Sequence, residues 1–521
     1  MAETARRRRG GGRAGNARRA GGGALRQLPW TLPELSDAPT APLGPEGVRA
    51  VDAAAMRILS EIGVDFLHDG ARERLRAAGA EVTPGSERVR FDPEMVRAHV
   101  ARAPASFTIT PRNPARAVTL GGRRQVYASI ASPPAFSNLE TGRRSGTREA
   151  FRELTMLSQA FECIHLAGGY PVEPVDIHPS VRHLDCIRDT LVLTDKVCHA
   201  YSLGTERIED AMELVRLAGG LSEAEFAAAP RMYTNINSTS PLKHDWPMLD
   251  GAMRMAERGQ PVIVTPFTLA GAMAPVTLAG AVAQQTAEAL AAVVLLQHIR
   301  PGVPVVMGAF TTNVDLRSGA PAFGTPEMMR AIQMSGEMAR FYGLPLRATN
   351  ACAANCPDAQ AAWESAFALW GCVSGHANIV YHAAGWLEGG LCASYEKFVM
   401  DCETLQQMIA YNAPVAAGEE ELAVAAIRDV DAMPPAQRHF FGAQHTQDRY
   451  TTAFYEPFLS DWRNFDSWAE AGSVRTPERA FRLWKRILAE FEPPEMDAGR
   501  LEAVDDFVAR RKAEGGAPTD F

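Results

Sequence analysis

The chain has 521 residues, a length that allows two to four ordinary domains or one large barrel with additions. Hydrophobic residues make up 46% and charged residues 22%, which excludes a wholly disordered chain and a fibrous repeat. The formal net charge of −8 argues against a general nucleic-acid-binding protein. We therefore expect a soluble globular protein without a nucleic-acid partner.

The number of cysteines and the length of the apolar segments indicate the cellular compartment in which the protein is expected. The eight cysteines are too sparse over this length for a secreted disulfide framework. Arg6–Arg9 is followed by glycine and arginine instead of an apolar stretch, so no cleavable signal peptide is predicted. The longest apolar region, Ala287–Gln297, contains Glu288 and is shorter than a membrane span, which favours a buried helix. These observations predict a cytoplasmic protein with no membrane partner.

Composition divides the chain into four parts. Residues 1–26 are rich in arginine and glycine and are predicted to form a disordered basic tail, either solvated or in contact with an acidic partner. Residues 27–120 carry apolar residues at helical spacing and are predicted to form a helical N-terminal lobe. Residues 121–412 are predicted to form the main domain, and residues 413–521 an acidic, loop-rich C-terminal extension.

Within the main domain, short apolar runs alternate with longer helical ones. The predicted strands are Val126–Ser129, Cys163–Ala167, Lys196–Tyr201, Arg231–Asn235, Pro261–Thr265, Pro304–Ala309, Pro345–Asn350 and Ala377–His382. The predicted helices lie near 148–160, 179–193, 206–219, 245–258, 277–299, 326–342, 357–374 and 395–412. This alternation indicates parallel strands with crossover helices. Eight units favour an α/β fold of the (β/α)8 TIM-barrel type over a doubly wound sheet.

In a TIM barrel the active site lies at the carboxyl ends of the strands. The residues expected there include many asparagine, serine, threonine, glycine and aromatic residues but few lysines or paired carboxylates, which disfavours Schiff-base and acid–base chemistry. Aromatic faces attract quaternary ammonium groups, although aromatic side chains that merely fill the barrel would give the same pattern. The aromatic candidates for substrate binding are Tyr127, Tyr170, Tyr201, Phe267, Phe310 and Trp386.

The same strand ends do not favour a metal or a nucleotide. Cys352 and Cys356 could join His199 and His382 in a zinc site, but a small buried residue is the better interpretation of Cys356. The glycine pairs that follow two of the strands match neither a phosphate-binding loop nor a dinucleotide motif. We therefore predict no bound metal and no nucleotide.

Several long motifs resemble one known family. They are NSTSPLKHD at 237–245, PVIVTPFTLAGAMAPVTLAG at 261–280, PVVMGAFTTN at 304–313 and YHAAGWLEGGLCASYEKFVMDCE at 381–403. Together they resemble the trimethylamine methyltransferase family over about residues 45–480. The resemblance implies a (β/α)8 barrel that transfers a methyl group from a methylated amine to the Co(I) of a corrinoid (cobalamin), carried by a separate corrinoid-binding protein. We also expect a homo-oligomer.

One departure from the family bears on the substrate. Archaeal trimethylamine enzymes of the family use pyrrolysine near the end of a barrel strand, whereas the matching stretch here, Ala348–Gln360, contains only standard residues. Pyrrolysine is thought to help a tertiary amine to leave, and a quaternary amine departs as a neutral amine without such help. The resemblance therefore implies a quaternary, betaine-type substrate such as glycine betaine, and disfavours trimethylamine.

The resemblance also suggests roles for polar residues. The N-terminus of the helix opening at Pro357, with Asn350 and Asn355 beside it, could hold a betaine carboxylate. His382, Glu388 and Asn313 could bind the substrate or contact the corrinoid. The candidates for catalytic residues are His382, Glu388 and Asn355.

Other interpretations stay open. HFFGAQHTQDRYTTAFYEPFLSDW at 439–462 also resembles the family, and its aromatic residues could form a lid over the barrel or a dimer contact. The methyl acceptor could be a folate instead of a corrinoid, and a non-catalytic member would only bind a betaine. An unrelated barrel lyase or isomerase is disfavoured because paired acid–base residues are missing at the strand ends.

Overall fold

The computed structural model describes residues 25–519, so most of the predicted basic tail at 1–26 lies outside the described residues. Its centre is a barrel of parallel strands. Seven of them are Val126–Tyr127, Cys198–His199, Met232–Ile236, Val262–Val264, Val305–Gly308, Leu346–Thr349 and Ile379–Tyr381. The second in chain order is reduced to Leu166, which bridges Ala128 on one side and Val197 on the other and so closes the ring. The prediction of a (β/α)8 barrel is confirmed.

A helix follows each barrel strand. These helices are Arg148–Ala160, Pro179–Leu193, Thr205–Gly219, Trp246–Glu257, Leu278–Ile299, Pro326–Phe341, Ala359–Ser374 and Tyr395–Tyr411, with a further short helix at Glu223–Ala228. By length and composition alone, Leu278–Ile299 could cross a membrane, but 83% of its most apolar window is buried inside the protein. It packs against the N-terminal lobe as well as the barrel, which explains why it is apolar on all sides.

Alternation along the strands separates two apolar layers. Val126 and Ala128 point into the barrel, where they join Leu166 and Ile263 in one buried cluster. Tyr127, between them in sequence, belongs instead to the larger cluster between sheet and helices. This period of two follows from strand geometry and decides which side chains can reach a ligand inside the barrel.

A hairpin closes the amino-terminal end of the barrel. Its strands, Ser106–Ile109 and Val118–Gly121, are antiparallel, and their apolar residues join the interior cluster. The Thr110 N–H donates to the carbonyl of Pro230, just before the fourth barrel strand. In the part of the chain that the structure describes, the barrel is therefore plugged at its amino-terminal end, and the cavity lies at the carboxyl ends of the strands.

The N-terminal lobe mixes helices and strands. Helices Gly44–Arg57, Asp69–Ala77 and Pro93–Val100, with a π-helical turn at Ile58–Ile62 and a 3-10 turn at Pro114–Arg116, account for the predicted helical character. The structure adds short strands at Val64–Phe66, Glu81–Val82 and Arg88–Arg90, which form a sheet with Lys243–His244. Segments of two or three residues are too short to show the alternation of apolar and polar residues that indicates a strand, so the sequence does not predict these strands.

Further short strands lie in loops at the carboxyl end of the barrel. They are Ala135–Asn138, Gly142–Ser145, Leu269–Ala270, Thr312–Val314, Pro321–Ala322, Trp386–Leu387 and Cys392–Ser394, with a 3-10 turn at Glu388–Gly390. The C-terminal extension contains helices Glu419–Leu422, Val424–Asp431, Gln444–Arg449, Phe465–Glu470, Thr476–Ala489 and Ala498–Ala513, and 3-10 turns Pro435–Gln437 and Phe440–Gly442. The last two of these helices pack against the outer helices of the barrel.

Candidate active site

A cavity of about 510 Å3 lies at the carboxyl ends of the barrel strands. Ser132, Gly168, Tyr201, Asn237 and His382 line it, each just after or at the end of a different strand. Its volume falls in the range of roughly 300–1,000 Å3 that is common for small-molecule pockets. Its position is the one at which TIM-barrel enzymes carry their active sites.

Arg347 contributes a buried guanidinium to the cavity wall. The residue lies in the seventh barrel strand and is 2% exposed. Its Nε and Nη1 have no hydrogen-bond partner, and its Cζ lies 5.0 Å from the ring centroid of Phe310 and 4.5 Å from that of Tyr381. Burial lowers the pKa of Arg347 from 12.5 to about 10, so the side chain stays charged at neutral pH. A buried cation without a counter-ion is costly, and an anionic ligand would supply one.

Two histidines in the same wall are neutral. Burial lowers the pKa of His199 to about 3, and both of its ring nitrogens lack a partner. Burial, and then the charge of Arg347, lowers the pKa of His382 well below its usual value. The Nδ1 of His382 lies 2.7 Å from the Thr349 hydroxyl, and its φ of 52° is a backbone strain of the kind found at functional sites.

Aromatic rings form much of the remaining wall. The rings of Tyr170 and Tyr201 meet edge to face at 4.8 Å between centroids. The Tyr201 hydroxyl accepts a hydrogen bond from the Tyr170 backbone N–H at 3.1 Å and pairs with Ser132 Oγ. The rings of Trp386 and Phe310 also meet edge to face, at 6.5 Å between centroids. Such a wall of fixed rings is suited to an apolar cation.

The four aromatic candidates Tyr170, Tyr201, Phe310 and Trp386 line one cavity, as does the catalytic candidate His382. Two other aromatic candidates do not line it. Tyr127 points away from the barrel interior, and its hydroxyl donates to Gln125 Oε1 at 3.0 Å. Phe267 packs behind Phe310 at 4.7 Å between ring centroids. For Tyr127 the physical reason is strand alternation, because its two neighbours occupy the inward positions.

The polar site expected beside the helix at Pro357 is not formed in this structure. The helix begins at Ala359, and the Asp358 carboxylate already accepts hydrogen bonds from the N–H groups of Gln360 and Ala361. Asn355 is exposed. Asn350 is fully buried, and its amide donates to the Ala383 carbonyl at 3.0 Å. An additional carboxylate at this helix N-terminus would be repelled by Asp358.

The other polar candidates are engaged outside the cavity lining. The Arg143 guanidinium pairs with the Glu388 carboxylate at 3.0 Å, and Asn313 Oδ1 accepts a hydrogen bond from the Thr325 hydroxyl at 3.0 Å. The segment 439–462, expected as a lid or a dimer contact, contributes no residue to the lining. Within residues 25–519, no group of three or more histidine, cysteine, aspartate or glutamate side chains is arranged to hold a metal.

Arg347 is not among the site residues predicted from the sequence, and neither are the other charged lining residues Glu173, Arg182 and Arg207. Arg347 lies inside the predicted strand Pro345–Asn350, and that position predicts a buried strand residue and not a site residue. A charged residue in the middle of a predicted buried strand is uncommon, because arginine is almost never fully buried without a partner. A charged residue at a predicted buried position is therefore the sequence signal that points to Arg347 as a site residue.

Comparisons with known proteins agree with this architecture. Residues 8–516 match the model of the family described as trimethylamine methyltransferase (MTTB). A glycine betaine methyltransferase from Desulfitobacterium hafniense (strain Y51) is 34% identical over 470 residues, covering 90% of this chain and 96% of that protein. A proline betaine:corrinoid methyltransferase from Eubacterium limosum is 27% identical over 69% of this chain and 75% of its own length.

A solved structure shares the fold at low sequence identity. The monomethylamine methyltransferase MtmB of Methanosarcina barkeri aligns with a TM-score of 0.50 and 9% identity, covering 88% of this chain and 90% of that one. It supports the barrel fold only. The family match spans nearly the whole chain, and the glycine betaine enzyme is similar over nearly all of both sequences. The chain therefore belongs to the trimethylamine methyltransferase family and is a methyltransferase.

Proposed function

We propose that this protein removes a methyl group from a betaine-type quaternary amine and passes it to the reduced corrinoid of a separate protein. The observation that carries the proposal is the buried, unpartnered guanidinium of Arg347 in the aromatic cavity. A betaine has a carboxylate and a quaternary ammonium group in one small molecule. The cavity offers a complementary feature for each of them.

Arg347 gives the site a preference among methylated amines. Its charge has no acidic partner among the described residues, and Arg182 and Arg207 line the same cavity with one carboxylate, Glu173. Positive charge therefore prevails there, and a simple cation such as choline or trimethylammonium is repelled on entering the cavity. A betaine carboxylate instead forms charge-assisted hydrogen bonds with the guanidinium. The site therefore favours a zwitterion over a simple cation of similar size.

The remaining wall accommodates the ammonium end. Tyr170, Tyr201 and Trp386 present rings to the cavity, and neutral His199 and His382 add no positive charge there. Holding the ammonium in a fixed, dry position lowers the barrier by orientation and not by proton transfer. A quaternary amine leaves as a neutral tertiary amine, so no general acid is required at the leaving nitrogen.

The acceptor is proposed from the chemistry of the lining and from the relatives. Among the described residues, no cysteine thiol or lysine amine lines the cavity to receive the methyl group. A reduced corrinoid would supply the nucleophile, and one relative is named as a betaine:corrinoid methyltransferase. The residues present fit that role, because the cavity lies at the end of the barrel that the hairpin leaves open. A corrinoid can therefore approach from that end.

The test mixes the purified protein with chemically reduced Co(I) cobalamin and a panel of glycine betaine, choline and trimethylamine. The absorbance spectrum of the cobalamin is followed. The expected result is conversion of Co(I) to methyl-Co(III) with glycine betaine and with neither choline nor trimethylamine. Arg347→Met is the matched variant, expected to lose this reaction.

Two results would contradict parts of the proposal. Conversion with trimethylamine but not with glycine betaine would refute the substrate class. Tight calorimetric binding of glycine betaine without conversion, even with a corrinoid protein encoded beside this one, would indicate a binding-only member or a different acceptor such as a folate.

A further inference from the structure

Residues 414–454, within the C-terminal extension, are here called the arm. Among the described residues, the hydrogen bonds and ion pairs of the arm all join residues within it, for example Arg449 to Glu420 and Arg438 to Asp431. No arm residue belongs to the barrel's apolar core. The large apolar residues exposed on the arm are Val415, Leu422, Val424, Ile427, Phe440, Phe441, Tyr450 and Phe454. Among the described arm residues, only Val430 and Ala443 are buried apolar residues, and neither belongs to a core cluster.

A second exposed apolar surface lies where the arm leaves the barrel. Trp363, Phe367 and Trp370 are 61%, 38% and 38% exposed and follow one another at helical spacing on Ala359–Ser374. Tyr411, the last residue of the neighbouring helix, packs on Trp370 at 5.2 Å between ring centroids. We call these four residues the aromatic face.

The helix that carries three of the four aromatic-face residues has no exposed charge, and the Tyr411 hydroxyl donates to the Asp37 carboxylate at 3.1 Å. The helix Ala359–Ser374 contains a single charged residue, Glu364, and that side chain is buried, accepting hydrogen bonds from the N–H groups of Ala353 and Ala354. An outer helix of a barrel normally carries charged residues towards solvent. Its aromatic, uncharged outer side is typical of a surface that another protein covers.

The exposed area is that of a stable interface. An aromatic side chain buries ~150–250 Å2 when it is covered, so the four aromatic residues of the arm and the four of the aromatic face offer roughly 900 Å2 together. A specific interface buries ~800 Å2 on each partner.

We propose that two copies of this chain exchange arms, each arm covering the aromatic face of the other copy about a two-fold axis. Both surfaces occur once per chain, and the arm begins three residues after Tyr411, a member of the aromatic face. A two-fold arrangement satisfies both surfaces of both chains at once and leaves none exposed. The proposal does not depend on the substrate or on the methyl acceptor.

Sedimentation equilibrium of the full-length protein tests the proposal first. The expected mass is twice the chain mass of 56.4 kDa, or a higher even multiple of that chain mass. Trp363→Glu with Phe367→Glu removes the aromatic face, and Phe441→Glu with Phe454→Glu removes the arm contact. Each pair is expected to raise the dimer dissociation constant about 100-fold or more, as loss of interface hot spots does. Leu316→Glu, at a residue that is 72% exposed after the sixth barrel strand, is the matched control and should change nothing.

A mixing experiment separates arm exchange from other dimers. Each double variant alone has no intact arm-to-face contact, but a mixture of the two can form one intact contact per pair. Equimolar mixing should therefore recover a heterodimer that neither variant forms alone. A monomeric wild type, a dimer that both variants leave unchanged, or a mixture that stays monomeric would each overturn the proposal. If a glutamate variant fails to fold by circular dichroism, the serine variants at the same positions take its place.

Discussion

Replacing Arg347 by Met should abolish tight betaine binding while keeping most of the side-chain volume. Removing one partner of a buried charge pair costs ~2–5 kcal/mol, because the other charge is left unpaired. That range corresponds to a loss of affinity of roughly 30- to 5,000-fold. Choline, which has no carboxylate, should bind no worse to the variant than to the wild type, because the repelling charge is gone.

The same variant should make the unliganded protein more stable. Burial lowers the pKa of Arg347 from 12.5 to about 10, a difference that corresponds to about 3 kcal/mol against the charged form in the folded state. Because the pKa is lowered on folding, this cost is present at every pH below about 10 and shrinks only above it. Methionine removes the charge, so the free energy of unfolding should rise by up to ~3 kcal/mol.

Two measurements on the wild type and on Arg347→Met test the role of the Arg347 guanidinium. Calorimetry gives the affinities for glycine betaine and choline, and urea denaturation without ligand gives the change in stability. Arg347→Lys is the control, since it keeps the charge but loses the planar pair of donors. Its affinity for glycine betaine should lie between those of the wild type and Arg347→Met. A variant that binds glycine betaine as well as the wild type, or that is less stable without ligand, would refute the role given to this guanidinium.

Three further predictions concern the cavity and the barrel. Trp386→Ala should raise KM for glycine betaine by roughly 2- to 30-fold, the worth of one cation–π contact, while Trp386→Phe should restore most of it; an unchanged KM would remove Trp386 from the ammonium site. Gly168→Ala should lower the free energy of unfolding by at least ~2 kcal/mol in urea denaturation, because a Cβ there would lie 2.0 Å from the Ser129 carbonyl oxygen; an unaffected midpoint would contradict this packing. Betaine affinity measured by calorimetry should be flat from about pH 6 to 9, because burial holds the pKa of His199 at about 3, and should fall above about pH 10 as Arg347 loses its proton; a titration step near pH 6.5 would show a charged histidine in the site.

The sequence by itself determined the order of the elements. Every predicted helix of the barrel and seven of its eight predicted strands reappear near their expected places, because apolar runs of strand length and amphipathic runs of helix length record which surfaces must be buried. The family motifs likewise identified a methyltransferase before any geometry was known. The second strand was the weakest of the eight, reduced to the bridges of Leu166, since the chain turns through Phe161 and Ile164 immediately before it.

Only the tertiary structure decided which of the candidate residues meet. Tyr127 and Tyr201 both lie at strand ends, but only closure of the barrel shows that Tyr127 points to the helices and Tyr201 into the cavity. The charge of Arg347 is visible in the sequence, whereas the absence of a partner for it is a property of everything packed around it. Strand periodicity is local and can be seen along the chain, but the neighbours of a buried charge come from strands far apart in sequence, and folding alone brings them together.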